Sequence, residues 1–97
     1  MRCYLDDMCY DRITIGNNVT ISYGVFMACH GIKQDNGIKQ DRNNILIEDG
    51  TYIGMNASII ARTNIQIGKD AVIGACTLVN KSIPSGATAV GIPCKLI

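Results

Sequence analysis

Pairs of apolar or small residues, two apart in the sequence, recur at six-residue steps along most of this 97-residue chain. The other four positions of each step are rich in Gly, Asn and Asp, which favour turns. Residues two apart on a β-strand point to the same side of it. Each step therefore predicts one short strand followed by one corner. The pairs are Ile13/Ile15, Val19/Ile21, Val25/Met27, Thr51/Ile53, Ala57/Ile59, Thr63/Ile65, Ala71/Ile73 and Thr77/Val79.

Strands this short bury an apolar side only by stacking on one another, so the pattern predicts a parallel β-helix. Extending the second residue of each pair in six-residue steps places Cys3 and Cys9 on inner positions, as small hydrophobic residues. We predict a single all-β domain over residues 1–97 with eleven inner positions. These are residues 3, 9, 15, 21, 27, 47, 53, 59, 67, 73 and 79.

The six-residue register is interrupted twice. One break is an excess of two residues between Ile59 and Ile67, and the other runs from about 31 to 46. The longer break contains GIKQDN followed directly by GIKQDR, which places lysines and aspartates where inner residues belong. We expect this segment to be an arm that leaves the coils. After Val79 we expect a closing segment over about 84–97, because Pro84 and Pro93 fit the exit of a chain better than a strand.

The composition excludes several classes of function. Nine Lys and Arg against eight Asp and Glu form no basic stripe, which argues against nucleic-acid or membrane-surface binding. No apolar run is long enough to insert into a membrane, and the N-terminus lacks the apolar core of a signal peptide. Five cysteines without CxxC spacing predict neither a disulfide framework nor a zinc site. We expect a cytoplasmic protein that binds small molecules or other copies of itself.

Four segments together resemble the hexapeptide-repeat acyltransferases: ITIGNNVTISYG, IEDGTYIGMNASII, IQIGKDAVIGACTLVNKSIP and AVGIPCKLI. The resemblance is strongest to the branch with maltose, galactoside and xenobiotic acetyltransferases and polysaccharide O-acetyltransferases. It covers nearly the whole chain. It implies a left-handed parallel β-helix with three faces per coil, just under four coils for eleven faces, one protruding arm and a homotrimer.

The resemblance also implies an activity, the transfer of an acetyl group from acetyl-CoA to a saccharide hydroxyl without a metal. In the family, a histidine at a coil corner just before the arm is the general base, and here that residue is His30. The spacing places it on an outward corner, three residues after inner Met27. A histidine suits this role because it exchanges protons near neutral pH. The transfer would be direct, and among the cysteines only Cys29 stays open as a nucleophile.

The family holds coenzyme A in a groove between neighbouring subunits. Matching the motifs residue by residue assigns this role to Met55, Ala75, Asn80, Lys81 and Lys95. The resemblance implies that the two lysines meet the phosphates as point charges. An ordinary solvated surface charge is the other interpretation of both.

Two further functions stay open beside the O-acetyltransferase. Relatives have additional sequence before the position of Cys3 and often beyond that of Ile97. An N-terminally truncated trimeric relative that binds coenzyme A with little or no activity is therefore the main alternative. A metal hydratase of the carbonic anhydrase type ranks last, because such a site needs about three histidine ligands and this chain has one.

Overall fold

The computed structural model describes residues 3–5, 13–28, 30–34, 38–61 and 63–97, with side chains for 13–28, 43–61 and 63–97. All regular elements in these residues are β-strands. Three sheets form the faces of a parallel β-helix, and a separate two-stranded sheet forms a hairpin. The six-residue pattern therefore predicted the architecture correctly.

Each face is a ladder of short strands taken from successive coils. The first face contains β1 (Cys3–Leu5), β4 (Val25–Ala28), β9 (Ser58–Ile60) and β12 (Leu78–Val79). The second contains β2 (Ile13–Ile15), β7 (Ile45–Ile47) and β10 (Ile65–Ile67), extended by a parallel bridge from Ile67 to Ile83. The third contains β3 (Thr20–Ile21), β8 (Tyr52–Ile53), β11 (Val72–Ile73) and β13 (Thr88–Val90), with β14 (Lys95–Leu96) antiparallel to β13.

The core is a set of columns in which inner residues of successive coils lie directly above one another. Met27, Ile59 and Val79 form one such column on the first face, and all three are fully buried. Ile53 and Ile73 stack in the same way beneath Ala89 on the third face. Burying an isoleucine side chain contributes about 1.5–3 kcal/mol, so these columns are the main source of stability.

The corners explain why each six-residue unit is rich in Gly, Asn and Asp. Asn18, Gly50 and Asp70 occupy the same position of successive corners, with φ of 58°, 76° and 57°. Asn and Asp tolerate this left-handed conformation better than other side chains. Gly54 is needed for a different reason, because an added Cβ would lie 2.6 Å from the backbone nitrogen of Ala75 in the next coil.

The two copies of the duplicated GIKQD phrase contribute one strand each to the hairpin. β5 (His30–Gln34) pairs antiparallel with β6 (Ile38–Arg42), and the Cα of His30 is opposite that of Arg42. Neither strand joins a face of the β-helix. The coil resumes in β7 at Ile45, inside the segment 31–46 that the sequence assigned to the arm.

The predicted register before Ile15 is wrong. Six-residue steps place Cys9 on the same face as Met27, but the structure aligns Leu5 with Met27 and Cys3 with Val25. Residues 6–12, which include Cys9, lie outside the described part of the chain. Ile15 is 41% exposed, and among the described strands its strand is the last of the second-face sheet.

The coils continue beyond Val79, the last inner residue that the pattern predicted. Ile83 and Ala89 are buried on the second and third faces. Cys94 is also buried, and its N–H donates to the carbonyl of Leu78 at 3.0 Å. The segment around Cys94 thus covers one end of the core.

Candidate active site

His30 lies where the chain leaves the first face. It is the first residue of β5, two positions after the end of β4, so it marks the corner between the first and second faces. The sequence predicted a corner at His30 because this residue follows the inner residue Met27 by three positions. The described residues include the backbone of His30 but not its side chain, so its role as the general base stays a prediction.

Met55 and Ala75 lie together at the corner between the third and first faces. They occupy equivalent positions of successive coils, because the N–H of Cys76 donates to the carbonyl of Met55 at 2.8 Å. Both side chains are exposed, and the exposed fraction of Met55 is 52%. Their assignment to coenzyme A stays a prediction from the resemblance.

Lys95 lies close to the C-terminal end of the column of Met55 and Ala75, beside the position one residue before it. Its Cα is opposite that of Val90, the last residue of β13 before this corner. The preceding residue, Cys94, is hydrogen-bonded to Leu78 at the start of β12. The ammonium group is on an exposed side chain, as contact with a phosphate requires.

Asn80 and Lys81 lie at the other end of the first face, on the same corner as His30. The register stacks Ala28, Ile60 and the residue after Val79, so Asn80 is two coils above Ala28. Neighbouring strands lie about 4.8 Å apart, which separates Lys81 from His30 by about 10 Å along the axis. Both Asn80 and Lys81 are exposed.

The predicted site residues therefore form two columns on opposite edges of the first face. A strand of three or four residues is about 10–13 Å long, and this length separates the column of Met55 from that of His30. The strands of the first face separate the two columns.

Large apolar side chains are exposed beside the column of Met55. They are Tyr23, Tyr52, Val72 and Ile92, of which Ile92 is 73% exposed. Tyr23 belongs to the same column, since its carbonyl accepts from the N–H of Asn56 at 3.0 Å. A contiguous apolar patch of this kind is typical of a surface that meets another protein.

Some of the cavities in the described residues lie elsewhere, on the outside of the second face. Two adjoining cavities of ≈ 360 and ≈ 280 Å³ share Gln66 and Ser82. We call them together the second-face groove, and the other lining residues are Asn44, Leu46, Glu48, Asn64, Ile65, Gly68, Ile83, Pro84 and Ser85. The sequence did not predict this groove, because its polar lining residues come from different coils and are far apart in the sequence.

Neither a metal site nor a membrane span is found in the described residues. No group of three or more His, Cys, Asp or Glu side chains is placed to hold a metal ion within 13–28, 43–61 and 63–97. Likewise, the described part of the chain has no helix long and apolar enough to cross a bilayer.

Comparison with known proteins shows similarity to acetyltransferases. The chain is 35% identical over 89 residues to the galactoside O-acetyltransferase of Lactococcus lactis, covering 89% of this chain and 40% of the enzyme. It is 36% identical over 87 residues to the serine acetyltransferase of Buchnera aphidicola, covering 90% of this chain and 29% of that enzyme. No family model matches the sequence.

Among solved structures, a galactoside acetyltransferase in complex with coenzyme A superposes with a TM-score of 0.84. The identity is 31%, and the match covers 98% of this chain and 48% of that one. The chain thus spans less than half the length of each of these proteins. The β-helix is left-handed, as in this structural neighbour, and the fold predicted from the resemblance is confirmed.

Proposed function

Because this chain is homologous to the hexapeptide-repeat acetyltransferases and shares their left-handed β-helix, we propose that it transfers an acetyl group from acetyl-CoA to a saccharide hydroxyl. One observation carries the proposal: the chain matches a galactoside acetyltransferase bound to coenzyme A over 98% of its length. The positions of His30, Met55 and Ala75 on coil corners support it.

In the proposed reaction, His30 acts as the general base. Its imidazole takes the proton of the acceptor hydroxyl while the hydroxyl oxygen attacks the carbonyl carbon of the thioester. The new C–O bond forms, the C–S bond breaks, and the leaving thiolate of coenzyme A takes the proton from the His30 imidazolium, which returns the imidazole to its neutral form. No cysteine needs to carry the acetyl group.

We propose that Met55, Ala75 and Asn80 contact the body of coenzyme A, while Lys81 and Lys95 contact its phosphates. The last two residues are exposed cations on coils near the C-terminal end. Since an exposed ion pair contributes up to about 1 kcal/mol, replacing both lysines by alanine should raise the KM for acetyl-CoA about 3- to 10-fold. Lys69→Ala, an exposed lysine at the corner between the second and third faces, is the matched control. An equal rise in all variants would show an unspecific charge effect.

We also propose that three copies form a homotrimer, in which one copy contributes His30 and its neighbour contributes Met55 and Ala75. The separation of the two columns and the apolar patch beside Met55 support this assembly. Ala75→Trp should fill the groove for coenzyme A without disturbing the fold, because Ala75 is exposed.

The shared site predicts complementation between two inactive variants. Trimers purified by two different tags, so that they contain both His30→Ala and Ala75→Trp chains, should recover about one third of the wild-type activity. In a cyclic trimer of this composition, one of the three interfaces combines an intact His30 with an intact Ala75. Mixed trimers as inactive as the parents would show that each site lies within one copy.

The function is tested by thiol release from acetyl-CoA across a panel of galactosides, other sugars, serine and amines. The proposal expects release that depends on a sugar hydroxyl. Calorimetric titration with coenzyme A separates the main alternative, since a relative that has lost activity would bind coenzyme A and release no thiol with any acceptor.

We further propose a cytoplasmic location, where acetyl-CoA is available. The cysteines with described side chains, Cys76 and Cys94, are both free. Unpaired thiols are typical of a reducing compartment.

A further inference from the structure

We propose that the second-face groove binds a neutral oligosaccharide, holding a sugar ring of the acceptor that is not the one being acetylated. This inference rests on the proposed function, since it extends the acceptor site beyond His30. It assigns a role to Glu48, Gln66 and Ser82, which are not among the site residues predicted from the sequence.

The groove begins close to the corner of His30. Asn44, which lines one end of it, is two residues beyond Arg42, the partner of His30 at the base of the hairpin. Paired strands have Cα atoms about 5 Å apart, and two residues span at most about 7 Å. The groove therefore begins within about 12 Å of His30 and continues along the helix axis past Gln66 to Ser85.

Hydrogen-bonding groups in the groove are held in place and still have free capacity. The hydroxyl oxygen of Ser82 accepts from the N–H of Gln66 at 3.0 Å, and that of Ser85 accepts from the N–H of Lys69 at 3.2 Å. Each hydroxyl keeps its hydrogen for a further acceptor. Asn64 is fixed in the same manner, since its Oδ1 accepts from the N–H of Asn44 at 2.8 Å, which leaves its amide N–H₂ free to donate.

Acceptors are present as well as donors. The Nε2 group of Gln66 donates to one carboxylate oxygen of Glu48, which leaves the second carboxylate oxygen and the amide oxygen of Gln66 for a ligand. Sugar hydroxyls both donate and accept, so a mixed array of this kind suits them. Leu46, 38% exposed, and Pro84 add apolar surface for the C–H groups of a ring.

The charge of the groove favours a neutral saccharide over coenzyme A as its ligand. Glu48 is the only charged residue among those that line it. A carboxylate without a cationic lining residue repels phosphates, whereas it accepts hydrogen bonds from neutral hydroxyls. We therefore assign coenzyme A to the first-face edges and the distal part of the acceptor to the second face.

Two variants and one control test the groove in kinetics. Gln66→Ala removes hydrogen bonds and Ser82→Trp fills the space, and both positions are exposed. Each should raise the KM for lactose about 3- to 10-fold, with kcat, the KM for acetyl-CoA and the KM for methyl galactoside unchanged. Thr14→Ala, an exposed position in the same outward row below Leu46 and outside the groove, should have no effect.

A binding measurement separates this proposal from the proposed function. Without acetyl-CoA, lactose should shift the NMR signals of the side-chain amides of Asn44, Asn64 and Gln66, and Ser82→Trp should abolish the shifts at Asn44 and Asn64. If lactose shifts these amide signals but the protein transfers no acetyl group, the groove proposal stands and the proposed function is wrong. Acetyl transfer with no shift at these amides would overturn the groove, as would an equal rise in the KM for lactose and methyl galactoside.

Discussion

Replacing His30 by alanine is expected to lower the turnover of acetyl transfer about 10²- to 10⁴-fold, which is the usual contribution of a general base. The effect should be on kcat, because the proton is transferred only as the hydroxyl attacks. The affinity for coenzyme A should stay the same, since the residues assigned to coenzyme A lie on other coils. Stopped assays of thiol release with saturating substrates measure the change.

Two controls distinguish a lost base from a damaged hairpin. His30→Gln keeps a polar side chain at the start of β5 and should be as inactive as His30→Ala. Added imidazole should restore part of the activity of the alanine variant only, by entering the space that the ring leaves. A full rate in His30→Ala would remove this residue from the mechanism, and Cys29→Ser would then test the neighbouring thiol.

The second large effect is expected in the core. Ile59→Ala should lower the free energy of unfolding by about 2–5 kcal/mol, the range for truncation of a buried isoleucine. Ile59 is fully buried between Met27 and Val79 in one column. Hydrogen bonds between the coils hold the neighbouring strands in place, so they cannot close the cavity that the alanine would leave. Such a loss is a large part of the 5–15 kcal/mol that stabilises a typical domain.

The neighbouring residue provides a control with the same substitution. Ile60 points outward from the same strand and is half-buried, so Ile60→Ala should cost less than about 1 kcal/mol. Denaturant unfolding at one protein concentration compares the variants, because assembly makes stability depend on concentration. Equal losses in both would contradict the assignment of inner and outer positions.

The inner positions from Ile21 to Val79 were predictable because two physical rules act on each six-residue unit. Side chains two apart share a side of the strand, and corners require residues such as Asn56 that tolerate a positive φ. The register before Ile15 was not predictable from six-residue steps, which place Cys9 beside Met27, whereas the structure aligns Leu5 with Met27. The hairpin pairing of the two GIKQD phrases was not predictable either, since duplication alone does not specify antiparallel contact.

The candidate site, like the fold, was predictable from the sequence only in part. The spacing predicted the corner of His30, and the resemblance supplied Met55 and Ala75, which the coil register brings together. The second-face groove depends on Glu48, Gln66 and Ser82, which are far apart in sequence. The stacking of the coils brings these three side chains to one surface, so their spacing in the sequence does not predict the groove.

The identity of the product tests the central claim most directly. After incubation with acetyl-CoA and a galactoside, mass spectrometry and NMR should find one acetyl ester on a sugar hydroxyl for each coenzyme A released. The protein itself should gain no acetyl group during turnover, and the His30→Ala variant should give no ester above the uncatalysed level. Release of coenzyme A with no sugar ester, or an acetylated protein that passes its acetyl group on, would contradict direct transfer to a saccharide.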